Sequence, residues 1–477
     1  MPATAIPLAE GFPPATRADW EALVERTLRV ADADSLVIRG PDCLEIQPLY
    51  EPSLEPRKFA PAPRGGERPW DVRGRVRHRD PARAHDAILD ELAGGAASVL
   101  VTLDSGRGEG VSIASAEAVA ELLDGVMIDV APVALDAGFL GVTAAEWLSA
   151  AAKGSPAAPL AFHLDPLGAF AREGASPGPI ESHLAAAANT AARLAPVHPR
   201  ASFFLASGAV VHDAGGTPAQ ELAFVLASSL AYAKAMTRVG LSVEQALSIT
   251  VLSLTVDSDP MISIAKLRAG RLVWTRLAGA LGTETPATIE AHSSARMLTK
   301  VDPWTNMVRL TAAGMAAAVG GANAVALGAF TDALGLPTAF ARRMARNTQL
   351  ILMEEGHLGA IADPVGGSGA FEALSQDLAR AAWAEFNAIE ASGGLAAALR
   401  NRHIARGIEM ARDGLAEALG AGDLRIVGVT DFRAEATRPA PIDAEPFESP
   451  PAPDARLPGP DSHCPPLVAI TLEGLAG

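Results

Sequence analysis

Short apolar segments alternate with longer amphipathic segments along the chain from about residue 84. Apolar runs of four to eight residues are typical of strands, whereas longer segments with apolar residues every three or four positions are typical of helices. The predicted strands are residues 97–103, 126–131, 159–165, 201–206, 249–256, 288–293 and 323–329. Long alanine-rich helices lie between them, notably at about 217–238 and 260–281, and an eighth strand falls near 70–78 or 358–363. Repeated strand–helix units predict an α/β fold with a parallel sheet, and seven or eight of them predict a (β/α)8 TIM barrel.

Polar residues recur on one side of the predicted strands. They are Ser98, Thr102, Asp104, Asp129, His163, Asp165, Ser253, Thr255, Glu290 and His292. The opposite sides carry valine, leucine and isoleucine, whereas a strand buried on both faces usually reads as one continuous apolar run. If the apolar faces pack against helices, the polar faces line an axial channel with small, wettable walls. A register error of one residue would exchange the two faces.

The composition divides the chain into four segments. They are an N-terminal arm for subunit contact (1–66), the barrel (67–400), a helical linker (401–433) and a proline-rich tail (434–477). The tail is expected to be extended, and its apolar end at 467–475 is expected to dock as one strand. In the arm, a helix at about 16–31 carries four apolar residues on one face, Trp20, Leu23, Val24 and Leu28. An arm of this size buries little surface by itself, so this face needs the main body or another subunit to cover it.

The overall charge limits the classes of partner. The 477 residues carry a formal net charge of −16, which argues against nucleic acid or an anionic membrane as the main partner. The uncharged run 310–331 is long enough to cross a bilayer, but Gly320 and Gly321 interrupt it and predict a helix, a turn and a short strand. The first residues show no signal-peptide pattern. The two cysteines, Cys43 and Cys464, form no metal or disulfide pattern, so a reducing cytoplasm is expected.

Residues 334–369 contain the most distinctive sequence motif of the chain. Pro337 stops the preceding element, Thr338 can cap a new helix, and a run of small residues later opens a tight loop. On physical grounds alone, this is a helix that ends in an ordinary glycine-rich connector. The words LPTAFARRMARNTQLILMEE and DPVGGSG nevertheless resemble the cobalamin-dependent acyl-CoA mutases, the family that includes methylmalonyl-CoA mutase.

Other segments extend this resemblance to about residues 10–430. The matching wording is HSSARMLTKVDPWTNMVRLT at 292–311, GGANAVALGAFTDALGLP at 320–337 and FPPATRADWEALVERTLR at 12–29. Together these segments look most like the small subunit of the heterodimeric bacterial enzyme. The resemblance implies a barrel along whose axis an acyl-CoA chain threads, and an N-terminal arm that wraps a large catalytic subunit.

The resemblance assigns the cofactor to that partner. In the family, adenosylcobalamin is held by a separate α/β domain through an Asp-x-His-x-x-Gly motif whose histidine ligates cobalt. Residues 425–433 resemble the link toward that domain, but the tail that follows does not resemble the domain. The nearest motif, Asp461-Ser462-His463, lacks the glycine and stands in a proline-rich setting. We therefore expect no metal ligand in this chain, and adenosylcobalamin held by the partner subunit.

The positions that contact the substrate in catalytic relatives are changed in this sequence. The family tyrosine shortly after Arg-Pro-Trp corresponds to Arg75, and the histidine that would donate to the thioester carbonyl corresponds to Val210. The nearest histidine, His212, lies two positions after Val210. In the preceding strand, Ala161-Phe162-His163 replaces a polar Thr-x-Gln of the family. No catalytic residue is therefore predicted. Four polar residues define a candidate vestigial cleft, or alternatively make stabilising hydrogen bonds at barrel loops: His163, His292, Gln349 and Glu372.

A basic island at 57–83 lies within this acidic chain. It contains nine basic residues against three acidic ones. Arginine forks suit phosphate groups, so Arg73, Arg75 and Arg77 are candidate contacts for the phosphates of CoA. The alternative is a solvated surface or a salt network between subunits.

Three hypotheses follow from the sequence. The leading one is a cytoplasmic, structural subunit of an acyl-CoA mutase such as methylmalonyl-CoA mutase, active only in complex with a large catalytic subunit. The second is a catalytic barrel subunit of another acyl-CoA mutase that uses a separate cobalamin-binding protein. The third is a stand-alone scaffold barrel without an enzymatic role.

Overall fold

The computed structural model contains a closed barrel of eight parallel strands. It describes residues 15–29, 32–52, 68–105, 109–436, 438–444 and 460–476. The barrel strands are β1 Asp71–Val76, β2 Ser98–Thr102, β3 Val133–Asp136, β4 Ala161–Leu164, β5 Ser202–Ser207, β6 Thr250–Val256, β7 Thr288–Ser293 and β8 Ala324–Ala326. Each strand pairs with the next, and β8 pairs with β1. The predicted (β/α)8 barrel is confirmed, and β1 occupies the first of the two positions left open for the eighth strand.

The second alternative for the eighth strand is excluded, and the predicted strand at 126–131 is wrong. Residues 358–363 form turns, and residues 126–131 form turns before β3 begins at Val133. Met127 and Val130 are more than 70% exposed, so this apolar run does not enter the core. The side chain of Asp129 accepts a hydrogen bond from Ser155 Oγ at 2.6 Å, and it does not belong to a barrel strand. The apolar pattern identified the right part of the chain but chose the wrong one of two neighbouring apolar runs.

Helices surround the barrel. The α-helices of the described residues are Arg17–Leu28, Pro81–Ala93, Ala116–Leu122, Gly141–Ala151, Pro166–Glu173, Ile180–Leu194, Ala209–Asp213, Pro218–Arg238, Val243–Ser248, Pro260–Ala280, Asn306–Val319, Ala339–Leu350, Gly369–Ala391, Leu395–Arg400, His403–Ala421 and Leu472–Ala476. The two longest predicted barrel helices are confirmed, and each begins with a proline after a side-chain cap, Thr217 or Asp259. Within the described residues, none of the helices has the length and apolarity needed to cross a bilayer.

The strand registers decide which side chains face the axis. Ser253 pairs with Glu290 and Thr255 pairs with His292, so these polar residues share the inner face of the barrel. The outer faces join one large core with the helices, including Val72, Val99, Leu135, Phe162, Leu252 and Ile289. The prediction that the polar faces point inward is therefore confirmed for the strand residues. Asp165 lies beyond β4, where its side chain caps the helix Pro166–Glu173.

Both ends of the chain contact the barrel unit. In the arm, Asp42 Oδ2 accepts a hydrogen bond from the backbone of Ala219 at 2.9 Å, whereas the helix Arg17–Leu28 has no buried residue. In the tail, Ile442–Ala444 pairs antiparallel with Leu336–Pro337. The predicted strand at 467–475 is wrong, because this segment makes single hydrogen bonds to Ala171, Asp213 and Arg296 and ends in a short helix.

Candidate functional site

A buried ion pair inside the barrel joins β1 and β7, which lie on either side of β8. The guanidinium of Arg73 contacts the carboxylate of Glu290 through Nη1, and its Nη2 lies 2.9 Å from Asp71 Oδ2. Arg73 Nε donates to Ser98 Oγ at 2.9 Å. Arg73 is 8% exposed and Glu290 is 1% exposed. The long arginine side chain, which strand alternation directs inward, thus has its donors occupied inside the barrel.

Two histidines flank the same carboxylate. His292 Nε2 lies 2.7 Å from Glu290 Oε1, and His163 Nε2 lies 3.6 Å from Glu290 Oε2. Burial lowers the pKa of His163 to about 4, so this ring is neutral at pH 7. Burial alone would raise the pKa of Glu290, but the charge of Arg73 and the two histidines hold it well below its usual range. Glu290 is therefore an ionised carboxylate with partners on several sides.

This cluster packs inside the barrel and borders a cavity at its N-terminal end. His163 and Ser98 are both buried, and the neighbouring inward positions Leu100, Ala134 and Ala161 form a small apolar cluster of their own. A cavity of about 300 Å³ remains at the N-terminal end of the barrel. The walls of the axis are polar, as predicted, but the predicted channel is interrupted by packed side chains. The interior resembles the filled core of other (β/α)8 barrels, with an ion pair in place of part of the usual apolar packing.

The four residues of the candidate cleft do not form one cluster. His163 and His292 meet at Glu290, as described above. Glu372 Oε1 instead accepts hydrogen bonds from Arg268 Nη2 at 2.5 Å and from the backbone of Gly367 at 3.0 Å, within the helical layer. Gln349 is 2% exposed and lines a narrow pocket between β1 and the helix Ala339–Leu350.

The arginines of the 334–369 segment hold helices together. Arg346 donates to the backbone oxygen of Gly94 at 2.9 Å and to Glu91 Oε2 at 2.8 Å. Arg342 lies 3.5 Å from the other oxygen of Glu91, which is itself 2% exposed. These contacts tie Ala339–Leu350 to the end of the helix after β1. They are structural contacts of the barrel's outer layer.

Arg75 and Arg77 lie at the C-terminal end of β1 and share one carboxylate. Arg77 Nη2 lies 2.8 Å from Asp332 Oδ1, and Arg75 Nη1 lies 3.5 Å from Asp332 Oδ2. Both side chains are about one third exposed. Burial lowers the pKa of Arg75, and the charge of Asp332 partly offsets that effect. A single carboxylate thus faces two guanidinium groups at this rim of the barrel.

The segment after β5 places an apolar residue where the family histidine is expected. Val210 is 7% exposed on the short helix Ala209–Asp213 and offers no side-chain donor. His212 is 2% exposed, and its Nε2 lies 2.8 Å from Ser294 Oγ. Its Nδ1 lies 3.6 Å from Glu221 Oε2. His212 is therefore held by buried partners beneath the C-terminal end of the barrel.

Sequence reasoning missed the charged cluster around Glu221. This carboxylate accepts a hydrogen bond from the backbone of Thr255 at 2.6 Å and contacts the ammonium group of Lys266. Burial would raise its pKa, but Lys266 and His212 lower it to about 2. The available signal was weak, because Glu221 and Lys266 are two of seven charged residues on the helices Pro218–Arg238 and Pro260–Ala280. Spacing within a helix cannot show that two such residues face each other.

The described residues contain no group of three or more histidine, cysteine or carboxylate side chains that could hold a metal ion. His463 is exposed, and its backbone forms an isolated bridge with Ala175. The adjoining Asp461 forms an ion pair with Arg400. Cys464 is buried, and its thiol donates to the backbone oxygen of Phe170 at 3.3 Å.

Comparisons with known proteins agree with this architecture. Residues 100–450 match the family model described as methylmalonyl-CoA mutase. The methylmalonyl-CoA mutase small subunit of Streptomyces virginiae is 37% identical over 483 residues, which cover 96% of this chain and 76% of that protein. The small subunit of Propionibacterium freudenreichii subsp. shermanii is 31% identical, with 94% and 73% covered, and a probable small subunit of Mycobacterium tuberculosis is 36% identical, with 78% and 61% covered. This chain belongs to the methylmalonyl-CoA mutase family.

Proposed function

We propose that this chain is a non-catalytic small subunit of a methylmalonyl-CoA mutase. It would pair with a large catalytic subunit that holds adenosylcobalamin, and the complex would interconvert (R)-methylmalonyl-CoA and succinyl-CoA. Similar proteins named as small subunits support this assignment. The observation that carries the non-catalytic role is the buried ion pair of Arg73 and Glu290 inside the barrel.

An acyl-CoA chain that entered the barrel would meet this buried ion pair and compete with its contacts. Separating a buried ion pair without replacing its partners costs about 3–5 kcal/mol. The chain also offers no imidazole at Val210 to polarise a thioester carbonyl, and loss of one such donor costs about 2.7–4 kcal/mol of transition-state stabilisation. Both effects act against binding and catalysis in this barrel.

The described residues do not fit a corrin cofactor. Adenosylcobalamin supplies the radical of the family reaction when it is bound. His463 is the closest match to the family's cobalt ligand, but it lies beside two prolines and its backbone is paired with Ala175. Residues 462–473 also lie across the C-terminal end of the barrel, where (β/α)8 barrels bind their ligands. The proposal therefore assigns the cofactor to the large subunit.

Two contacts of the proposal concern the surface of the chain. Arg75 and Arg77 remain our candidates for contacts to the phosphates of CoA, since each is partly exposed and both share Asp332. Arg73 has its donors occupied by barrel residues. The arm would contact the large subunit through its helix Arg17–Leu28, where Leu23 and Leu28 are about half exposed.

Reconstitution tests the proposal. The chain is purified alone and with the large subunit, and mutase turnover and particle size are measured with adenosylcobalamin supplied. We expect no turnover by this chain alone and a stable complex with the large subunit. The large subunit alone is the control for the contribution of this chain. Turnover by the isolated chain would overturn the non-catalytic role.

Ligand binding separates the alternatives. Micromolar binding of an acyl-CoA to the isolated chain would favour a catalytic barrel that uses a separate cobalamin-binding protein. Absence of any complex with a large subunit would favour a stand-alone scaffold. Titration of the isolated chain with succinyl-CoA, followed by size measurement with and without the large subunit, distinguishes all three.

A further inference from the structure

Residues 462–473, here called the C-terminal strap, cross the C-terminal end of the barrel. Four of its backbone N–H groups donate to carbonyl oxygens of the barrel unit, at distances of 2.7–3.0 Å: Cys464 to Gly174, Leu467 to Ala171, Ile470 to Asp213, and Leu472 to Arg296. The acceptors lie in the segments that follow β4, β5 and β7. The strap therefore passes over the half of the barrel mouth formed by strands β4 to β7.

The strap is packed against this surface and does not merely lie near it. Ser462 is fully buried, and Leu467 is 5% exposed within the main core. Gly174 has φ +70°, and a Cβ there would come within 2.9 Å of Pro466. Gly215 has φ +101°, and a Cβ there would lie 3.1 Å from the side chain of Ile470. At both positions the barrel has a glycine where a side chain would press against the strap.

The far end of the strap is held by a second set of contacts. The carboxylate of Glu473 accepts hydrogen bonds from the backbone N–H groups of Lys300 at 2.7 Å and Val301 at 3.0 Å. The helix Leu472–Ala476 then packs beside a small apolar cluster centred on Leu419. Because the strap is fixed by backbone, side-chain and apolar contacts along its length, it has one defined path across the barrel.

The acceptors of the strap adjoin a buried polar pair at the barrel mouth. His212 and Ser294 are hydrogen-bonded to each other. His212 precedes the acceptor Asp213 directly, and Ser294 lies two residues before the acceptor Arg296. Their exposures are 2% and 1%. The C-terminal face of a (β/α)8 barrel is the face at which ligands bind, because the strand ends and their loops converge there. Here a segment of the same chain takes that position.

We propose that the C-terminal strap is an internal ligand of the barrel, which closes its mouth over β4 to β7 and excludes a corrin ring or a docking domain from that half. The contacts with the barrel are made mainly by the backbone, as in recognition of an extended peptide. A partner subunit would then bind to other faces of the chain. This inference concerns the isolated chain and does not depend on the proposed subunit role.

Hydrogen exchange on the unmodified full chain is the first test. The amides of Leu467, Ile470 and Leu472 donate to the barrel, whereas Val468 is 63% exposed and serves as the control within the same segment. We expect the three donor amides to exchange at least about 100-fold more slowly than the amide of Val468, as for hydrogen bonds that open only by local unfolding. Equal exchange rates would overturn the strap as a fixed element.

A matched pair of variants tests closure. Leu467→Asp places a charge in the buried contact, whereas Val468→Asp places it in solvent one residue away. We expect Leu467→Asp to lose protection at Ile470 and Leu472 and to bind the dye anilinonaphthalene sulfonate several-fold more strongly, and Val468→Asp to match the unmodified chain. Protection that survives in Leu467→Asp would overturn the proposal.

Cofactor binding supplies an independent readout. Equilibrium dialysis of the unmodified chain against adenosylcobalamin should show no stoichiometric binding. Binding of one adenosylcobalamin per chain, with the Leu467 amide still protected, would overturn the exclusion. These measurements need no partner, so their failure is distinguishable from failure of the subunit role, which is tested by turnover and complex formation.

Discussion

The barrel interior and the segment 334–369 both contain charged residues, but these residues make different kinds of contact. In the segment and its surroundings, arginines such as Arg346 bond to neighbouring helices and hold the outer layer together. Inside the barrel, Arg73 and Glu290 form a buried ion pair that joins two strands of the barrel wall. The sequence motif on which the family resemblance rests therefore makes structural contacts of the scaffold. The evidence about function lies in the barrel strands, which are outside the segment 334–369.

The largest expected effect comes from breaking the axial ion pair. Glu290→Ala leaves the guanidinium of Arg73 buried with only Asp71 as a charged partner, and we expect a loss of about 3–5 kcal/mol in the free energy of unfolding. Urea unfolding measures the loss. The double variant Arg73→Met, Glu290→Leu removes both charges and should recover most of it. Purely additive effects of the two single changes would contradict the coupling.

Acid should destabilise the barrel through its interior before it affects the surface. The folded-state pKa of His163 is lowered to about 4, below its unfolded value of about 6.5, so its contribution to stability is complete above pH 6.5 and is lost as pH falls toward 4. We expect a loss of about 2–3 kcal/mol over this interval, measured by urea unfolding at each pH. His163→Asn, which keeps a residue tolerant of the positive φ of 48°, should flatten the dependence.

A second acid step should come from the cluster at Glu221. Its folded pKa of about 2 lies below the unfolded value of about 4.3, so its contribution is present above pH 4.3 and is lost as pH falls toward 2. The two steps therefore occupy different pH intervals. A stability profile that declines in His163→Asn as steeply between pH 6.5 and 4 as in the unmodified chain would contradict the assignment.

Weakening the segment 334–369 and its following helix should cost less. Glu372→Gln loses a charge-assisted bond to Arg268, which keeps Asp363, and we expect a loss of about 1–2 kcal/mol. The amide of Gly367, which donates to Glu372, should exchange faster. Glu354→Gln, at an exposed position of the same segment, is the control. Faster exchange at axial residues would show that the two regions are not independent.

The smallest effect is expected at the rim of the barrel. Arg77→Met removes a partly exposed guanidinium, while Arg75 stays beside Asp332, so we expect a stability change below about 1 kcal/mol in urea unfolding. A larger loss would mean that this rim is part of the core ion-pair network. Such a result would also remove Arg77 as a candidate phosphate contact, because its charge would be fully used within the chain.

The strand pattern predicted much of the interior, with one informative failure. Alternation placed Ser98, Ser253 and Glu290 on the inner face because successive side chains of a strand point to opposite sides. It failed at 126–131, where an apolar run lies on the surface and β3 follows it. Local hydrophobicity cannot choose between neighbouring runs when tertiary packing decides which one the helices cover.

The candidate cleft shows the same limit at the level of single residues. The sequence placed His163, His292 and Glu372 in one candidate cleft, on two matches to the family and one replaced position, His163. The structure brings the two histidines to Glu290 and leaves Glu372 in the helical layer with Arg268. Matching positions do not reveal partners, because a partner is set by the path of the whole chain.

By itself, the sequence determined the barrel, its family and the polar character of its interior, because strand periodicity and sequence motifs are properties of short segments. Only the tertiary structure decided which side chains meet inside it. Arg73 and Glu290 are 217 residues apart, and Cys464 and Phe170 are 294 residues apart, yet each pair is in contact. Such contacts depend on closure of eight strands and on the return of the tail across them, which local patterns cannot encode.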